Sequence, residues 1–447
     1  MKKLFGTDGI RGHAGEFPLD EKTVRIIGAS LARLCREGLG RTPRLVTGRD
    51  TRESGAWIEA AFHAGAQAEG SECFSAGVIT TPGVAYVTGA ADFDAGIVIS
   101  ASHNPFADNG IKIFNPSGKK AKESTERAVE GDIAEDRVPA NTDDSLVDLS
   151  RTEEFQQLYL DHLNNEFAGL NLSGVRIVVD CANGAASHLA PELFRRFGAD
   201  VTAIHAEPDG RNINENCGSL YLEHLQAKVL QSQADFGVAF DGDADRALFV
   251  DEKGAIVDGD ATLWVMANFL LDNGKLENRK VIATVMSNIG LELALRSKGI
   301  ELVRTAVGDK YVLDELLTSG SEIGGEQSGH IIFPDKSIVG DGMLTTLFLL
   351  NAIRERGCKF SQCTEGFVRY PQILVNVKVS EKVPFEAIPA IHEASKFVEE
   401  KLDGTGRLLL RYSGTENLAR VMIEGKEMDE IEALANELAA VIKAELG

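Results

Sequence analysis

The chain has 447 residues, 43% of them hydrophobic and 26% charged, so it is long enough for about three or four domains and has the composition of an ordinary globular protein. Its 46 basic and 68 acidic residues give a net charge of −22, which argues against non-specific binding to nucleic acid. No stretch reaches the ~18 uninterrupted apolar residues of a membrane span, and the N-terminus lacks the apolar core of a signal peptide.

The first part of the chain alternates helix and strand patterns, which predicts a parallel or mixed sheet flanked by helices. One face of the first predicted helix carries the apolar residues Val24, Ile27, Leu31 and Leu34. The other predicted elements are a helix at 53–70 and strands at 44–48, 72–78 and 95–100. A polar, acidic stretch at 123–151 then predicts the approach to a domain junction.

The same alternation restarts twice. The strands predicted for the second unit lie at 175–180, 200–206 and 235–240. The elements predicted for the third unit are helices at 263–271, 291–297 and 310–317 and strands at 280–286 and 301–307. From about Pro371 onward, strands and two helices predict a small α+β domain. The predicted domains therefore cover 1–150, 151–255, 256–368 and 369–447.

The six cysteines are scattered and form no Cys-x-x-Cys pair. This spacing favours a reduced, cytoplasmic protein over a disulfide scaffold or a zinc site. The negative net charge also means that a site for a phosphorylated substrate has to be a local basic pocket. The sequence does not set the oligomeric state, and a homodimer is one candidate assembly.

The strand predicted at 95–100 leads directly into Ser102 and His103, and Pro105 prevents its simple continuation. In open α/β sheets, ligands bind at this edge. A serine hydroxyl there can act as a nucleophile or carry a phosphoryl group if a base or positive charge lies nearby. Taken alone, the Ser-His pair also fits an ordinary turn.

The segment DGDADR follows the apolar strand FGVAF and contains Asp241, Asp243 and Asp245. With extended backbone, this spacing places all three carboxylates on one side. Three carboxylate donors suit Mg²⁺. A solvated acidic turn is an alternative, and so is a calcium EF-hand loop with Glu252 at its twelfth position. The EF-hand is disfavoured because Arg246 occupies the glycine position and both flanks are strands.

Three further loops carry groups suited to a phosphosugar. GEQSGH supplies Glu326 and Ser328 for sugar hydroxyls and His330 as a candidate proton shuttle, although a plain turn is equally consistent. RYSGTENLAR at 411–420 combines arginines, hydroxyl groups and loop amides suited to a phosphate. FGTDGIRG places Arg11 in a glycine-flanked loop.

In chain order, FGTDGIRG, SASHNP, DGDADR, GEQSGH and RYSGTE resemble the motifs of the α-D-phosphohexomutase superfamily, and they span residues 5–420. FGTDGIRG and the segment YPQILVNV at 370–377 favour the branch that acts on glucosamine phosphates over those that act on glucose and mannose phosphates. The resemblance implies an α/β fold with three successive related α/β domains, mixed sheets and a C-terminal α+β domain around a central cleft.

The resemblance also implies residue roles. Ser102 matches the serine that carries the phosphoryl group, and its phosphate completes the coordination of one Mg²⁺ by Asp241, Asp243 and Asp245. The basic residues expected around the transferring group are Arg11, His103, Lys112 and Arg246. The sugar-reading loop contributes Glu326 and Ser328, with His330 beside them. The loop expected to hold the other phosphate contributes Arg411, Ser413, Gly414, Thr415 and Arg420.

The implied activity interconverts glucosamine 6-phosphate and glucosamine 1-phosphate through phospho-Ser102 and a bisphosphate, and it supplies UDP-N-acetylglucosamine and cell-wall precursor synthesis. It requires Mg²⁺ and phosphorylation of Ser102. The expected partner is a small phosphosugar, with no nucleic acid and no membrane. Either Lys112 or His330 could accept the proton of the attacking hydroxyl, and the sequence does not choose between them.

Three rival functions stay open. The same chemistry could act on glucose or mannose phosphates. A catalytically idle phosphosugar-binding protein would be expected to have a damaged centre, yet Ser102 and the three aspartates are present. A metal-dependent phosphatase would release inorganic phosphate without forming an isomerised sugar.

Two residues depart from the usual Arg-Lys-Ser-Gly-Thr-Glu-Pro motif, because Tyr412 replaces the lysine and Asn417 replaces the proline. Loss of the proline removes a fixed backbone angle, which puts the rigidity of the loop in question. The Asn417 amide could in return donate to a phosphate. Ala244 in place of the more common glycine is a smaller change.

Overall fold

Four sheets organise the chain, one in each successive segment. They are seen in a computed structural model that describes residues 3–140, 147–413 and 417–447. The predicted fold class is confirmed: three α/β units with mixed sheets precede a smaller α+β unit. The division at residues 150, 255 and 368 stays a prediction.

The first unit contains a six-stranded sheet in the order β1-β2-β6-β5-β3-β4. Its strands are β1 (Phe5–Gly6), β2 (Gly9–His13), β3 (Arg44–Arg49), β4 (Glu72–Val78), β5 (Ala95–Ile99) and β6 (Asp108–Phe114). Its helices are α1 (Glu21–Leu39), α2 (Gly55–Ala68), α3 (Thr81–Ala90) and α4 (Glu123–Ala134). Strand β3 is parallel to β4 and β5, whereas β6 is antiparallel to β5, so the sheet is mixed.

The second unit contains a five-stranded sheet in the order β11-β10-β9-β7-β8. Its strands are β7 (Arg176–Asp180), β8 (Asp200–Ile204), β9 (Phe236–Phe240), β10 (Ala247–Asp251) and β11 (Ile256–Val257). Its helices are α5 (Thr152–Glu166), α6 (Ala186–Arg196) and α7 (Glu223–Ser232), with a 3₁₀ helix at Gly218–Leu220. Strand β7 is parallel to β8 and β9, so their carboxyl ends share one edge.

The third unit contains a four-stranded sheet in the order β13-β12-β14-β15. Its strands are β12 (Lys280–Thr284), β13 (Glu301–Thr305), β14 (Gly324–Gly325) and β15 (Ile331–Ile332). Its helices are α8 (Gly259–Asp272), α9 (Ile289–Ser297), α10 (Asp309–Ser319), α11 (Gly342–Arg356) and α12 (Phe360–Cys363). The antiparallel pair β14–β15 frames the loop GEQSGH.

The fourth unit contains an antiparallel sheet in the order β16-β18-β17. Its strands are β16 (Gln372–Lys378), β17 (Arg407–Tyr412) and β18 (Leu418–Glu424). Its helices are α13 (Pro389–Leu402) and α14 (Met428–Leu446), with a 3₁₀ helix at Phe385–Ala387. Among the described residues, no helix is both long and apolar enough to cross a membrane.

The distribution of the hydrophobic core divides the units into two groups. One buried cluster includes Val98 of β5, Val238 of β9 and Leu347 of α11, so the first three units share apolar packing. The fourth unit has its own cluster, which includes Val421 and Ile442. The fourth unit is therefore the one least joined to the others by apolar contacts.

A buried polar junction connects the fourth unit to the third. The Glu424 carboxylate accepts hydrogen bonds from Asn288 Nδ2 at 3.1 Å, from the Ile289 amide at 3.1 Å and from Arg407 Nε at 2.9 Å. Arg407 also donates to the carbonyl oxygens of Val285 and Ser287. Burial raises the pKa of Glu424, although the Arg407 guanidinium opposes this effect. These directional bonds attach the fourth unit to the third at the end of β18.

Two expectations about local structure need correction. The acidic stretch at 123–151 does not only lead to a junction, because its first part forms α4 and packs against α1. The three aspartates do not lie on extended backbone. They occupy a turn after β9 in which Ala244 has a positive φ of 55°. A tight turn, rather than the alternation of a strand, brings their carboxylates together.

Candidate active site

Ser102 lies just beyond the carboxyl end of β5 in a strained turn. Its φ is 53°, a left-handed conformation that is uncommon for a residue with a Cβ atom. Its hydroxyl donates a hydrogen bond to Asp241 Oδ2 at 2.5 Å, although the two residues are 139 positions apart. Strain of this kind persists only where surrounding contacts hold it. The first and second units therefore meet at this serine.

Two side chains hold the Ser102 turn by its carbonyl oxygens. Arg52 Nη2 donates to the carbonyls of Ser102 at 3.2 Å and Asn104 at 2.6 Å. Asn214 Nδ2, from the second unit, donates to the same two carbonyls at 2.9 Å and 3.0 Å. Asp50 pairs with Arg52 inside the protein, and both side chains are fully buried. We call Arg52 and Asn214 together the carbonyl clamp, because they hold the serine turn through its backbone carbonyls.

The three predicted aspartates converge. One carboxylate oxygen from each of Asp241, Asp243 and Asp245 lies within 4.8 Å of the others, and all three residues are buried. Oδ1 of Asp243 and Oδ1 of Asp245 are buried with no hydrogen-bond donor among the described residues. Buried carboxylate oxygens are costly without a partner. Unpartnered oxygens in an all-oxygen donor set fit Mg²⁺, which takes carboxylate ligands and retains positions for other oxygens.

A buried lysine compensates part of this negative charge. Lys112 Nζ, from β6, donates to Asp243 Oδ2 at 2.7 Å and Asp245 Oδ2 at 3.3 Å, and it pairs with Asp8 at 3.0 Å. Burial alone would lower the pKa of Lys112, but the carboxylates of Asp243, Asp8 and Asp245 raise it well above its usual value. Lys112 is therefore a fixed cation, and this state does not suit it to act as a general base.

Burial and the neighbouring charges shift the pKa values of Asp241 and Asp245 in opposite directions. Burial raises the pKa of Asp241 well above its usual value, and the neighbouring carboxylates of Asp245 and Asp243 add to this effect. Burial also acts to raise the pKa of Asp245, yet Lys112 and His330 lower it well below the usual range. A cation bound at Asp241, next to Ser102, would relieve this cost of negative charge.

His103 and Arg246 lie on the solvent side of Ser102. His103 Nδ1 lies 3.2 Å from both Ser102 Oγ and Arg246 Nη1. Burial, reinforced by the cationic side chains of Arg246 and Arg11, lowers the pKa of His103, so it is held neutral. The backbone N–H of Arg246 also donates a hydrogen bond to Asp241 Oδ1 at 3.2 Å. Both predicted residues therefore flank the serine.

A cleft of about 430 Å³ opens beside these groups, a size suited to a small ligand. The predicted residues that line it are Arg11, Asp245, Arg246, Glu326 and His330. Arg11 pairs with Asp8 at its rim. The Glu326 carboxylate accepts from the Gly308 amide at 3.1 Å and from Ser328 Oγ at 3.5 Å. The first, second and third units thus contribute side chains to one polar cleft.

His330, the other candidate base, has both ring nitrogens engaged. Its Nε2 accepts a hydrogen bond from the Gly340 amide at 3.1 Å, so this nitrogen carries no proton. Its Nδ1 faces Asp245 Oδ1 at 3.7 Å. The side chain is also almost completely buried. The geometry therefore favours neither Lys112 nor His330 as a free general base.

The predicted phosphate loop belongs to the fourth unit. Arg420 Nη2 lies 3.5 Å from Ser413 Oγ, and Arg411 contacts the sulfur of Met286. Gly414 and Thr415 lie outside the described residues. No described residue of the fourth unit lines the cleft. The described residues of this loop, Arg411, Ser413 and Arg420, are therefore not among the side chains that line the cleft.

The departure at Tyr412 has a structural explanation. Its ring stacks on Phe385 at 4.1 Å between centroids, and its hydroxyl donates to the Val383 carbonyl at 2.5 Å. A lysine from another segment, Lys382, donates to the Ser413 carbonyl at 2.7 Å. The position that the family motif gives to lysine thus serves packing here, and Lys382 brings a cation to the same loop.

Sequence reasoning missed five groups at or near the site. They are Asp8, Arg52, Thr81, Asn214 and Lys382. Thr81 Oγ1 donates to Asp243 at the start of α3, and it has no recognisable motif. Arg52 follows β3 at the same sheet edge as Ser102, so a polar residue at a strand end was the available signal. Asp8 lies inside FGTDGIRG, three residues before Arg11.

Comparisons with known proteins cover the whole chain. The family models of phosphoglucomutase/phosphomannomutase alpha/beta/alpha domains I, II and III match residues 2–139, 157–254 and 258–370 of this chain. The model of the C-terminal domain of that family matches residues 374–441. A phosphoglucosamine mutase from Solibacter usitatus is 48% identical over 446 residues, covering 100% of this chain and 99% of the relative. One from Caldicellulosiruptor bescii is 47% identical, covering 100% of both.

Solved structures share the fold at lower identity. A phosphoglucomutase/phosphomannomutase family protein from Burkholderia thailandensis superposes with a TM-score of 0.79 at 23% identity, covering 99% of this chain and 98% of that one. A putative phosphomannomutase from Thermus thermophilus gives 0.76 at 22%, covering 98% of each. These likenesses support the four-unit architecture described above.

Proposed function

The chain belongs to the phosphoglucosamine mutase family, a branch of the phosphohexomutases, and on this premise we propose that Ser102 carries the phosphoryl group that it exchanges with the sugar. The reaction interconverts glucosamine 6-phosphate and glucosamine 1-phosphate. The observation that carries the assignment of Ser102 is its 2.5 Å hydrogen bond to Asp241. It joins the only strained serine among the described residues to the aspartate cluster.

The reaction consists of two phosphoryl exchanges between Ser102 and the sugar, and each conserves bonds and protons. In the first, the P–O bond to Ser102 Oγ breaks, a P–O bond forms to the C1 hydroxyl of the 6-phosphosugar, and the hydroxyl proton ends on Oγ. The product is a sugar bisphosphate. After the sugar turns over, its 6-phosphoryl group returns to Ser102 by the reverse exchange, which leaves the 1-phosphate. Because phosphoryl transfer needs mainly positioning and charge neutralisation, fixed cations supply most of the catalysis.

The chain's own residues supply that positioning. The carbonyl clamp of Arg52 and Asn214 orients the serine. Lys112 holds positive charge at Asp243, Arg246 holds it at His103, and His103 contacts the Ser102 hydroxyl. Asp241, Asp243 and Asp245 would hold Mg²⁺. Bound there, Mg²⁺ adds positive charge that stabilises the transferring phosphoryl group.

Recognition has to accept the sugar in two orientations. Glu326 lines the cleft and offers hydrogen bonds to hydroxyl or amino groups there, and the Ser328 hydroxyl donates to its carboxylate. The 411–420 loop, with Arg411, Ser413 and Arg420, is proposed to hold the phosphate that does not react. We propose that the fourth unit moves toward the cleft to do so, which its separate core and polar junction support.

The proposed reaction also indicates how the cell uses the product. The substrate is a phosphosugar, and the product supplies the synthesis of UDP-N-acetylglucosamine and cell-wall precursors. A cytoplasmic location is proposed because all six cysteines are free thiols. A homodimer stays a candidate assembly, which light scattering of the purified protein would test.

A side-by-side assay tests the function. The phosphorylated protein with Mg²⁺ is given glucosamine, glucose and mannose 6-phosphates in turn, and ³¹P NMR follows the products. We expect the 1-phosphate to form fastest from glucosamine 6-phosphate. Faster conversion of glucose or mannose 6-phosphate would transfer the assignment to another hexose, and release of inorganic phosphate alone would identify a phosphatase.

Asn214→Ala should slow turnover without weakening substrate binding. Removal of the amide leaves two buried carbonyl oxygens with one donor group fewer, a cost of about 1–3 kcal/mol. We expect kcat to fall about 10-fold and KM to change little, because the clamp positions the serine rather than the sugar. Asn273→Ala is the matched control, since its amide also donates to a carbonyl but in the third unit. A rise in KM with unchanged kcat would contradict the positioning role.

Arg420→Ala should have the opposite kinetic signature. A guanidinium that contacts the non-reacting phosphate contributes to binding in both the ground state and the transition state. We therefore expect KM to rise about 10- to 100-fold with a smaller change in kcat. Arg127→Ala, which removes an exposed arginine paired with Glu123, is the matched control. An unchanged KM would remove Arg420 from the phosphate site.

A further inference from the structure

Away from the three aspartates, the second unit carries another group of metal-ligating side chains that the mutase reaction does not use. Asp180 ends β7, His205 follows β8, and Cys217 immediately precedes the 3₁₀ helix at Gly218–Leu220. One ligand atom from each lies within 4.8 Å of the others. The shared edge of the parallel strands brings Asp180 and His205 together, and a loop returns Cys217 to the same point.

The donor set differs in kind from the aspartate cluster. It combines a carboxylate, an imidazole and a thiol, whereas the aspartate cluster offers oxygen atoms alone. Thiolate and imidazole donors select zinc-class ions over Mg²⁺. Ligand atoms around a tetrahedral zinc lie roughly 3.3–3.8 Å apart, so shifts of about 1 Å would close the group around an ion.

His205 is already oriented for ligation. Its Nδ1 lies 2.9 Å from Asp180 Oδ2, and its Nε2 lies 3.3 Å from Nδ1 of His224, whose ring stacks on it. When Nδ1 binds a metal, the ring proton moves to Nε2 and is donated to His224. Outer partners of this kind orient metal-bound histidines. The φ of His205 is 46°, so its backbone is strained in the position that aims the ring.

The group has an entry path. Asp180 and Cys217 are buried, whereas the His205 side chain is 24% exposed and His224 lies at the surface. We propose that Asp180, His205 and Cys217 bind a zinc-class divalent cation, with a fourth position open to water. Binding displaces the Cys217 thiol proton into solvent.

The position of the site gives the bound ion a structural consequence. Cys217 and Asn214 belong to one short loop, and Asn214 is half of the carbonyl clamp on Ser102 and Asn104. An ion held by Cys217 ties this loop to the ends of β7 and β8. It would therefore support the clamp through the Asn214 loop and stabilise the second unit against unfolding.

Cobalt serves as the probe because Co²⁺ replaces zinc and gives a thiolate charge-transfer absorption band only when a cysteine ligates it. The full-length protein is stripped of metals, supplied with excess Mg²⁺ to fill the aspartate cluster, and titrated with Co²⁺. We expect one equivalent to produce the band and to raise the midpoint of thermal unfolding. Cys217→Ala should lose both effects, and His224→Ala should weaken binding about 10-fold.

Two controls separate this site from other sources of the signal. Asp243→Asn alters the aspartate cluster and should keep the band. Cys73→Ala removes a buried thiol in the first unit and should keep it also. Absence of the band in the wild type, its survival in Cys217→Ala, or its loss in Asp243→Asn would each overturn the proposal. None of these measurements depends on turnover, so they stand apart from the mutase assignment.

Discussion

Ser102→Ala is expected to abolish mutase turnover while leaving the fold intact. The hydroxyl oxygen is the atom proposed to hold the phosphoryl group between the two exchanges, and the alanine variant has no acceptor at that position. We expect kcat to fall by about 10³-fold or more, as for the loss of a covalent nucleophile. Turnover of glucosamine 6-phosphate measures the loss, and mass spectrometry of the intact protein should show no transferred phosphoryl group.

The matched control is Ser71→Ala in the same unit. The Ser71 hydroxyl is buried and has no hydrogen-bond partner among the described residues, so its removal should change neither turnover nor stability. Both variants should unfold at temperatures close to that of the wild type. Turnover within 10-fold of wild type in Ser102→Ala, or phosphorylation of another residue, would contradict the assignment of Ser102.

Much of the fold could be predicted because its elements are locally encoded. The face formed by Val24, Ile27 and Leu31 predicts α1, and the apolar run ending at Phe240 predicts β9. Short strands of two residues, such as β14, have too few side chains to give a period and depend on their partners. The sequence pattern did not predict helix α4, because its few apolar residues stand among acidic ones. The helix depends instead on packing against α1, a contact between distant parts of the chain.

The site was predictable where chemistry is concentrated in a motif. Asp241, Asp243 and Asp245 are close in the chain, so their convergence could be expected even though the turn that achieves it was not. The residues that sequence reasoning missed act across long separations. Arg52 contacts the carbonyl of a residue 50 positions away, and Asn214 does so across 112. Because such contacts join residues far apart in the chain, the partners of these residues leave no local pattern in the sequence.

Lys112→Met is expected to destabilise the metal-free protein and to slow the reaction. Lys112 Nζ lies within 3.3 Å of carboxylate oxygens of Asp8, Asp243 and Asp245, of which Asp243 and Asp245 are buried and Asp8 is partly exposed. Removal of the cation leaves these charges uncompensated, which costs about 3–5 kcal/mol for a buried ion pair. Turnover should fall about 10²- to 10³-fold because a fixed positive charge beside the phosphoryl group is lost.

Mg²⁺ should distinguish this charge effect from simple loss of packing. In the wild type, the Lys112 ammonium binds Oδ2 of Asp243 and Asp245, and Oδ1 of the same two carboxylates is left for a divalent cation, so the positive charge of Lys112 opposes Mg²⁺ binding. Mg²⁺ should therefore raise the unfolding temperature of Lys112→Met by more than it raises that of the wild type, with each protein compared with itself in EDTA. Lys336→Met, which removes a surface partner of Glu166, should change stability by less than about 1 kcal/mol and show no extra response to Mg²⁺. If Lys112→Met unfolds at the wild-type temperature in EDTA, the lysine is not the counter-charge of the aspartate cluster. If Mg²⁺ stabilises both proteins equally, the charge of Lys112 does not oppose Mg²⁺ binding at the aspartate cluster.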